Sequence, residues 1–237
     1  MYDPRKVDLT VVVIKAYVLG GIFCLSTMGL ILLGTQCLAS PWTPVLVYLQ
    51  LLCGFHMLEF VTTSRYNPTE VDSDLFLLED YQMLAANALA LVEYLVKVHW
   101  YGYTPKYSLV IVGLIVALVG QAFRTLAMYT AGTLFNHYIQ RQRLDRHTLV
   151  THGVYLWLRH PLYFGFWWWF VGLQVMLQNV IISVCGGIVL WRFFRGRIEF
   201  EEGFLVDFFG DNYVDYARRT PVGIPGIVTR PQRQKQN

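Results

Sequence analysis

PLYFGFWWWFVGLQVMLQNVIISVCGGIVLW, residues 161–191, runs for 31 residues without one charged side chain. As a single helix it would extend about 46 Å, against a hydrocarbon core of about 30 Å. It contains its own division point at Gln178-Asn179, where two adjacent amides interrupt the apolar run. The run therefore reads as a short helical hairpin whose second arm continues past the membrane from Arg192 to Phe209. Residues 16–58 form a second stretch free of Asp, Glu, Lys and Arg. The chain of 237 residues is 55% hydrophobic and 15% charged, where a soluble domain carries about 25% charged residues. These features exclude a water-soluble globule and predict an all-α polytopic membrane protein. A cleavable signal peptide is not expected to explain them, because apolar segments recur deep into the C-terminal half.

Working outward from the hairpin, four more apolar segments precede it. The first runs from about Leu9 to Leu33 and is interrupted by Lys15. Pro41 and Pro44 then break the chain. The second covers Val45 to Thr62 and ends near His56 and Glu59. The third spans Tyr81 to Val98 with Glu93 inside it, and the fourth Ser108 to Met128 with Arg124 near its end. With the hairpin this makes about six transmembrane helices in one membrane-embedded domain, residues 1–237. Residues 1–131 supply four spans, and residues 132–237 supply a loop or short helix, the hairpin and a C-terminal tail.

Orientation follows from the basic residues, which concentrate on the cytosolic side of membrane proteins. With both termini on one face, that face collects fifteen Lys and Arg: Arg5, Lys6, Arg65, Arg141, Arg143, Arg146, Arg159 and eight from Arg192 to Lys235. The other face collects Lys97 and Lys106. Both termini and the 132–160 loop are therefore expected to face the cytosol.

Chemistry-bearing residues concentrate in two blocks that this topology puts on the same face. One is His147-Thr148-Leu149-Val150 through Tyr155 to Arg159-His160-Pro161-Leu162-Tyr163. The other runs from Arg192 to Glu202. In the second, Arg195/Glu199 and Arg197/Glu201 are i,i+4 pairs, each sharing a helix face. A solvated, salt-bridged helix end has the same pattern. Position favours function, since ionisable groups at the end of an embedded helix usually serve a purpose. No metal site is expected: His137, His147, His152 and His160 are spaced 10, 5 and 8 residues apart, and no compact ligand pair occurs. Cys24, Cys37, Cys53 and Cys185 have no paired spacing and read as buried thiols. No Gly-x-Gly-x-x-Gly motif marks a soluble nucleotide-binding fold, and no basic-aromatic surface points to nucleic acid.

The chain resembles the isoprenylcysteine carboxyl methyltransferases, with details similar to the fungal members. The resemblance runs from Gly54-Phe55-His56-Met57-Leu58-Glu59-Phe60 through Tyr66-Asn67-Pro68 and Asp74-Leu75-Phe76-Leu77-Leu78 to Gly223-Ile224-Pro225. It is densest over Arg124-Thr125-Leu126-Ala127-Met128-Tyr129-Thr130-Ala131-Gly132 and Phe135-Asn136-His137, followed by His-Thr-Leu-Val, Arg-His-Pro-x-Tyr and Glu-Glu in the family's order. Leu58, Glu79-Asp80 and His152 depart from the common pattern, outside the core motifs.

The resemblance implies methyl transfer from S-adenosylmethionine to the α-carboxylate of C-terminally prenylated (farnesyl or geranylgeranyl) CaaX proteins, in the endoplasmic reticulum membrane. It also implies a cofactor site of Gln140, His147, Thr148, Leu149, Val150, Tyr155, His160, Pro161, Leu162, Tyr163 and Glu201, facing the cytosol. Arg197, with Arg159, is expected to meet the substrate carboxylate, and Glu201 and Glu202 to complete the catalytic set. Arg-His-Pro-x-Tyr also occurs in phospholipid N-methyltransferases and membrane sterol reductases. Those two activities and a non-catalytic adaptor are the alternatives.

Overall fold

The computed structural model describes residues 7–66, 76, 78, 81–136, 139–143, 147–229 and 231. The motif positions Asn67-Pro68, Asp74-Leu75 and Leu77, the departure Glu79-Asp80, and Arg5, Lys6, His137, Arg146, Arg230, Arg233 and Lys235 lie outside them. Among the described residues every regular element is helical. The order is α1 (Leu9–Leu33), α2 (Thr43–Tyr66), α3 (Tyr81–Tyr101), α4 (Tyr107–Ala131), α5 (Pro161–Leu177), α6 (Ile181–Phe209) and α7 (Asp211–Arg219). Three of these, α1, α2 and α4, are long and apolar enough to cross a membrane.

Helix α1 opens on Asp8, whose Oδ1 accepts from the Thr10 amide at 2.8 Å, a side-chain cap for an otherwise unpaired donor. Most of its apolar side chains are exposed, including Tyr17, Leu25, Ile31 and Leu32. A helix that is apolar all round and unburied is solvated by lipid rather than water. Helix α2 carries the buried Glu59, which binds Arg124 of α4 through two contacts, Nε–Oε1 at 2.5 Å and Nη2–Oε2 at 2.9 Å. The guanidinium lies 5.2 Å from the ring centres of both Phe55 and Phe166. A charge buried among apolar helices requires a bidentate partner of this kind.

Helices α4 and α5 run antiparallel in near backbone contact. Gly113, Ala117 and Gly120 of α4 face Gly165 and Gly172 of α5. A Cβ on Gly120 would stand 2.3 Å from the Trp169 backbone nitrogen, and one on Gly113 would stand 2.3 Å from that of Met176. Small residues let membrane helices approach until dispersion contacts replace the hydrophobic drive that lipid cannot supply.

The hairpin turns where the two amides predict: α5 ends at Leu177, Gln178 takes a left-handed conformation (φ 53°), and α6 begins at Ile181. Helix α3 fastens this turn with two residues one helical turn apart. The Glu93 carboxylate accepts from the amides of Val180, Ile181 and Ile182 at 2.7, 3.0 and 2.9 Å. The Lys97 ammonium donates to the carbonyls of Leu177 and Gln178 at 3.2 and 2.7 Å. An anion thus sits at the N-terminus of α6 and a cation at the C-terminus of α5, each the sign that helix end favours. The second arm of the hairpin continues without a break to Phe209, so α6 reaches from the turn to the polar blocks.

Candidate functional site

A cavity opens where α4 ends, where α5 begins and where the outer half of α6 passes both. Leu134, Phe135, Asn136, Ile139, Gln140 and residues 147–150, with the 3-10 turn Gly153–Leu156 and α7, close it. Helix periodicity explains the contribution of α6. Arg197, Glu201, Phe204, Leu205 and Phe208 recur at intervals of three and four residues and share the face turned to the cavity. Tyr163 reaches the cavity because Pro161 starts α5 with its fixed φ at the first helical position, where no amide donor is needed.

Most of the sequence-predicted residues come together here: Gln140, His147, Thr148, Leu149, Val150, Tyr155, His160, Pro161, Leu162, Tyr163, Arg197 and Glu201 all line the cavity. Tyr163 links the two charged residues of α6: Arg197 Nε donates to the Tyr163 hydroxyl at 2.9 Å, and that hydroxyl donates to Glu201 Oε2 at 2.7 Å. The Tyr163 ring stacks on His160 at 5.6 Å. By contrast Arg195 and Glu199 pair at 3.0 Å with side chains 55% and 52% exposed, which is the solvated pair.

Glu202 and Arg159 are placed differently from the expectation. Glu202 is 3% exposed and is not among the described lining residues. Its Oε1 accepts from Arg159 Nε at 2.6 Å, His160 Nε2 at 3.1 Å and Tyr213 hydroxyl at 3.3 Å. Arg159 touches the cavity but donates elsewhere. Besides Glu202 it reaches the carbonyls of Ala217 and Thr220 through Nη1, and the Thr229 carbonyl and hydroxyl through Nη2. Five contacts match the five N–H groups of a guanidinium, so none remains for a substrate carboxylate. Glu202 acts behind the cavity wall, and Arg159 forms part of that wall with its donors turned away from the cavity.

Sequence reasoning missed the aromatic lining. Phe204, Phe208, Phe209, Tyr213 and Tyr216 line the cavity, the Phe208 ring lies 6.2 Å from that of His147, and the Tyr216 hydroxyl donates to the Tyr155 carbonyl at 2.6 Å. The spacing of Phe204 and Phe208 from Glu201 was available as a signal. Helix α7 was also readable, from Asp211 in its first turn, Arg218 and Arg219 in its last, and Tyr213 and Tyr216 three apart. Burial pushes the phenols of Tyr155, Tyr213 and Tyr216 up from their ordinary value, so all three are neutral hydrogen-bonding walls.

Burial would push the Glu202 carboxyl up, but His160, Thr229 and Arg159 beside it outweigh that and hold it at about 2, against an ordinary 4.5. A carboxyl held low contributes stability that is complete above its ordinary value and is lost as pH falls through the lowered one. The stability advantage of the wild type over Glu202→Gln is therefore expected to narrow as pH falls from about 4.5 towards about 2. Thermal unfolding of both proteins across that window checks it; a constant gap contradicts it.

An aromatic-walled cavity with a partly exposed carboxylate beside a guanidinium can hold a flat heterocycle and a cationic centre, and can orient an anion next to them. Comparisons with known proteins point the same way. Residues 111–207 match the family described as isoprenylcysteine carboxyl methyltransferases. The protein-S-isoprenylcysteine O-methyltransferase of Xenopus laevis is 41% identical over 94% of this chain and 76% of its own length. The one from Saccharomyces cerevisiae is 38% identical over 95% of each chain. A solved structure of the eukaryotic intramembrane Ras methyltransferase, an isoprenylcysteine carboxyl methyltransferase, superposes with a TM-score of 0.84 at 33% identity. That match covers 92% of this chain and 77% of the other. With its apolar helices, the molecule is an integral membrane protein.

Proposed function

Because this chain belongs to the isoprenylcysteine carboxyl methyltransferase family, we propose that it esterifies the α-carboxylate of C-terminal S-prenylated cysteines, with S-adenosylmethionine as methyl donor. The observation that carries this reading is the Arg197–Tyr163–Glu201 chain on one cavity wall. It sets an anion-binding guanidinium and a carboxylate side by side. The residues fit the donor: the rings of Tyr155, Phe204, Phe208 and Tyr216 suit an adenine face, and the Glu201 side chain, 28% exposed, suits a cationic centre. When bound, S-adenosylmethionine supplies an electrophilic methyl group on a sulfonium.

The remaining work falls to the chain. A C-terminal carboxylate with a pKa of about 3.5 is ionised at neutral pH, so attack needs no general base. Arg197 holds the carboxylate in its planar fork, and the rigid α6 fixes its distance from Glu201. The aromatic lining excludes water that would otherwise solvate the nucleophile. Arg197 positions more than it activates, because binding the ground-state anion too tightly would raise the barrier.

The topology belongs to the same proposal. Helices α3, α5 and the inner part of α6 join α1, α2 and α4 as six spans of one domain. The cavity opens to the cytosol from the endoplasmic reticulum membrane. A substrate that is half lipid then arrives from the bilayer, and a water-soluble donor arrives from the cytosol. The acceptors are prenylated CaaX proteins.

The test is to incubate purified protein with methyl-labelled S-adenosylmethionine and either N-acetyl-S-farnesylcysteine or a phospholipid. Base-labile methyl ester on the prenylcysteine is the expected product. Label in the phospholipid, or in neither acceptor, rejects the reading.

A further inference from the structure

The segment from Thr220 to Thr229 follows α7, contains no helix and lies outside the cavity, whose described lining ends at Tyr216. It is nevertheless fastened at several separate points. The Arg159 amide donates to the Pro221 carbonyl at 3.0 Å, and the Arg159 guanidinium holds both ends of the segment, at Thr220 and Thr229. Trp191 Nε1 of α6 donates to the Pro225 carbonyl at 2.8 Å. Gly223 (φ +85°) is wedged so tightly that a Cβ would stand 2.5 Å from Leu158 and 2.7 Å from Phe164. Val222, Ile224 and Ile227 are buried, in one cluster with Tyr163, Phe194 and Ile198.

That cluster joins the segment to the chemistry. Tyr163 offers its hydroxyl to the cavity and its ring to the cluster, where it packs 5.2 Å from Phe194. Arg197 and Glu201 are fixed by their helix, whereas Tyr163 belongs to α5. Besides its hydrogen bonds to both, Tyr163 is held against them by the packing behind it.

We propose that residues 220–229 form a strap that holds Tyr163 in register with Arg197, locked in place by Arg159 as a positioning residue. This rests on the function proposed above and assigns the strap to the acceptor half of the site. The donor half, built from Asn136, Gln140, residues 147–155 and residues 204–216, meets the strap at its start, where the Thr220 amide donates to the Tyr216 carbonyl at 3.1 Å, and contributes no residue to the strap's apolar cluster. Loosening the strap misplaces Tyr163, whose hydroxyl bridges the carboxylate-holding Arg197 and Glu201, and leaves the aromatic donor walls of Tyr155, Phe204, Phe208 and Tyr216 standing.

The experiment uses the full chain with conservative changes. Trp191→Phe removes the donor to Pro225, and Thr229→Val removes one acceptor of Arg159; the two are then combined. In the combined variant, kcat/KM for N-acetyl-S-farnesylcysteine is expected to fall by about tenfold to a hundredfold, as for other small misplacements of reacting groups. The Kd for S-adenosylmethionine stays within about twofold, and Thr229→Ser recovers the activity lost in Thr229→Val. Amide hydrogen exchange of the peptide spanning Arg159–Tyr163 rises in parallel. Equal losses of donor affinity, or unchanged kcat/KM and exchange in the combined variant, overturn the proposal. The exchange measurement keeps the two readings apart: an unaltered protein that forms no methyl ester rejects the function, while exchange alone still decides whether the strap holds Tyr163.

Discussion

Arg197→Lys is expected to lower kcat/KM for the prenylcysteine acceptor by about 100-fold, a loss of about 2.7 kcal/mol of transition-state stabilisation. The substitution keeps the positive charge, so a purely electrostatic role would survive it. What it removes is the planar fork, which aligns two carboxylate oxygens at once, and the Nε–H that meets the Tyr163 hydroxyl. Lysine offers a point charge on a flexible stem, so the nucleophile is bound but no longer aimed. The neighbouring pair is the control. Arg195 and Glu199 have the same spacing on a face rotated away from the cavity, and their side chains are about half exposed. Exposed pairs contribute at most about 1 kcal/mol of stability. Arg195→Lys and Glu199→Gln should therefore retain wild-type turnover within about twofold. Kinetics of the three variants with N-acetyl-S-farnesylcysteine settle the matter. Equal damage in all three would make this part of α6 structural only, and the role assigned to Arg197 would fail.

The contrast between those two pairs shows how far a sequence can be read. Helix spacing gives the shared face of Arg197 and Glu201, and the amides at Gln178-Asn179 give the turn of the hairpin. Both signals are local, carried by residues a few positions apart. The missed features depend on partners distant in sequence. Glu59 and Arg124 are separated by 65 positions, and Glu93 meets the start of α6 from 87 positions away. Each looks in the sequence like an isolated charge in an apolar segment. Arg159 is the clearest case. Its place in the Arg-His-Pro-x-Tyr block resembles that of a ligand-binding residue, yet its donors are satisfied by Glu202 and a segment near the C-terminus. Burial makes that arrangement necessary, because an unpaired guanidinium behind an apolar wall would be strongly destabilising.

The α4–α5 seam carries the second large effect, this time on folding. Gly120→Ala adds one methyl group, which in an ordinary helix stabilises by about 0.8–1.0 kcal/mol. Here that Cβ would stand 2.3 Å from the Trp169 nitrogen and 2.6 Å from the Gly165 carbonyl oxygen. Both are backbone atoms, so no side chain can rotate out of the way and the helices must separate. Separation loosens the contacts along the seam, and close packing is what associates helices in lipid. Overpacking in a close-packed core costs about 1–3 kcal/mol even when side chains can adjust, and a backbone clash belongs at or above the top of that range. Gly187→Ala on α6 is the matched control, with nothing within 4 Å of the added atom. Thermal unfolding in detergent should show a marked fall in Tm for Gly120→Ala and no fall for Gly187→Ala. The damage should extend to activity. The N-cap and first turn of α5 carry His160 and Tyr163, so a helix pushed off α4 moves them away from Glu202 and Glu201. Equal Tm values for the two variants would mean that the seam tolerates expansion, and that contacts elsewhere hold α5 in place.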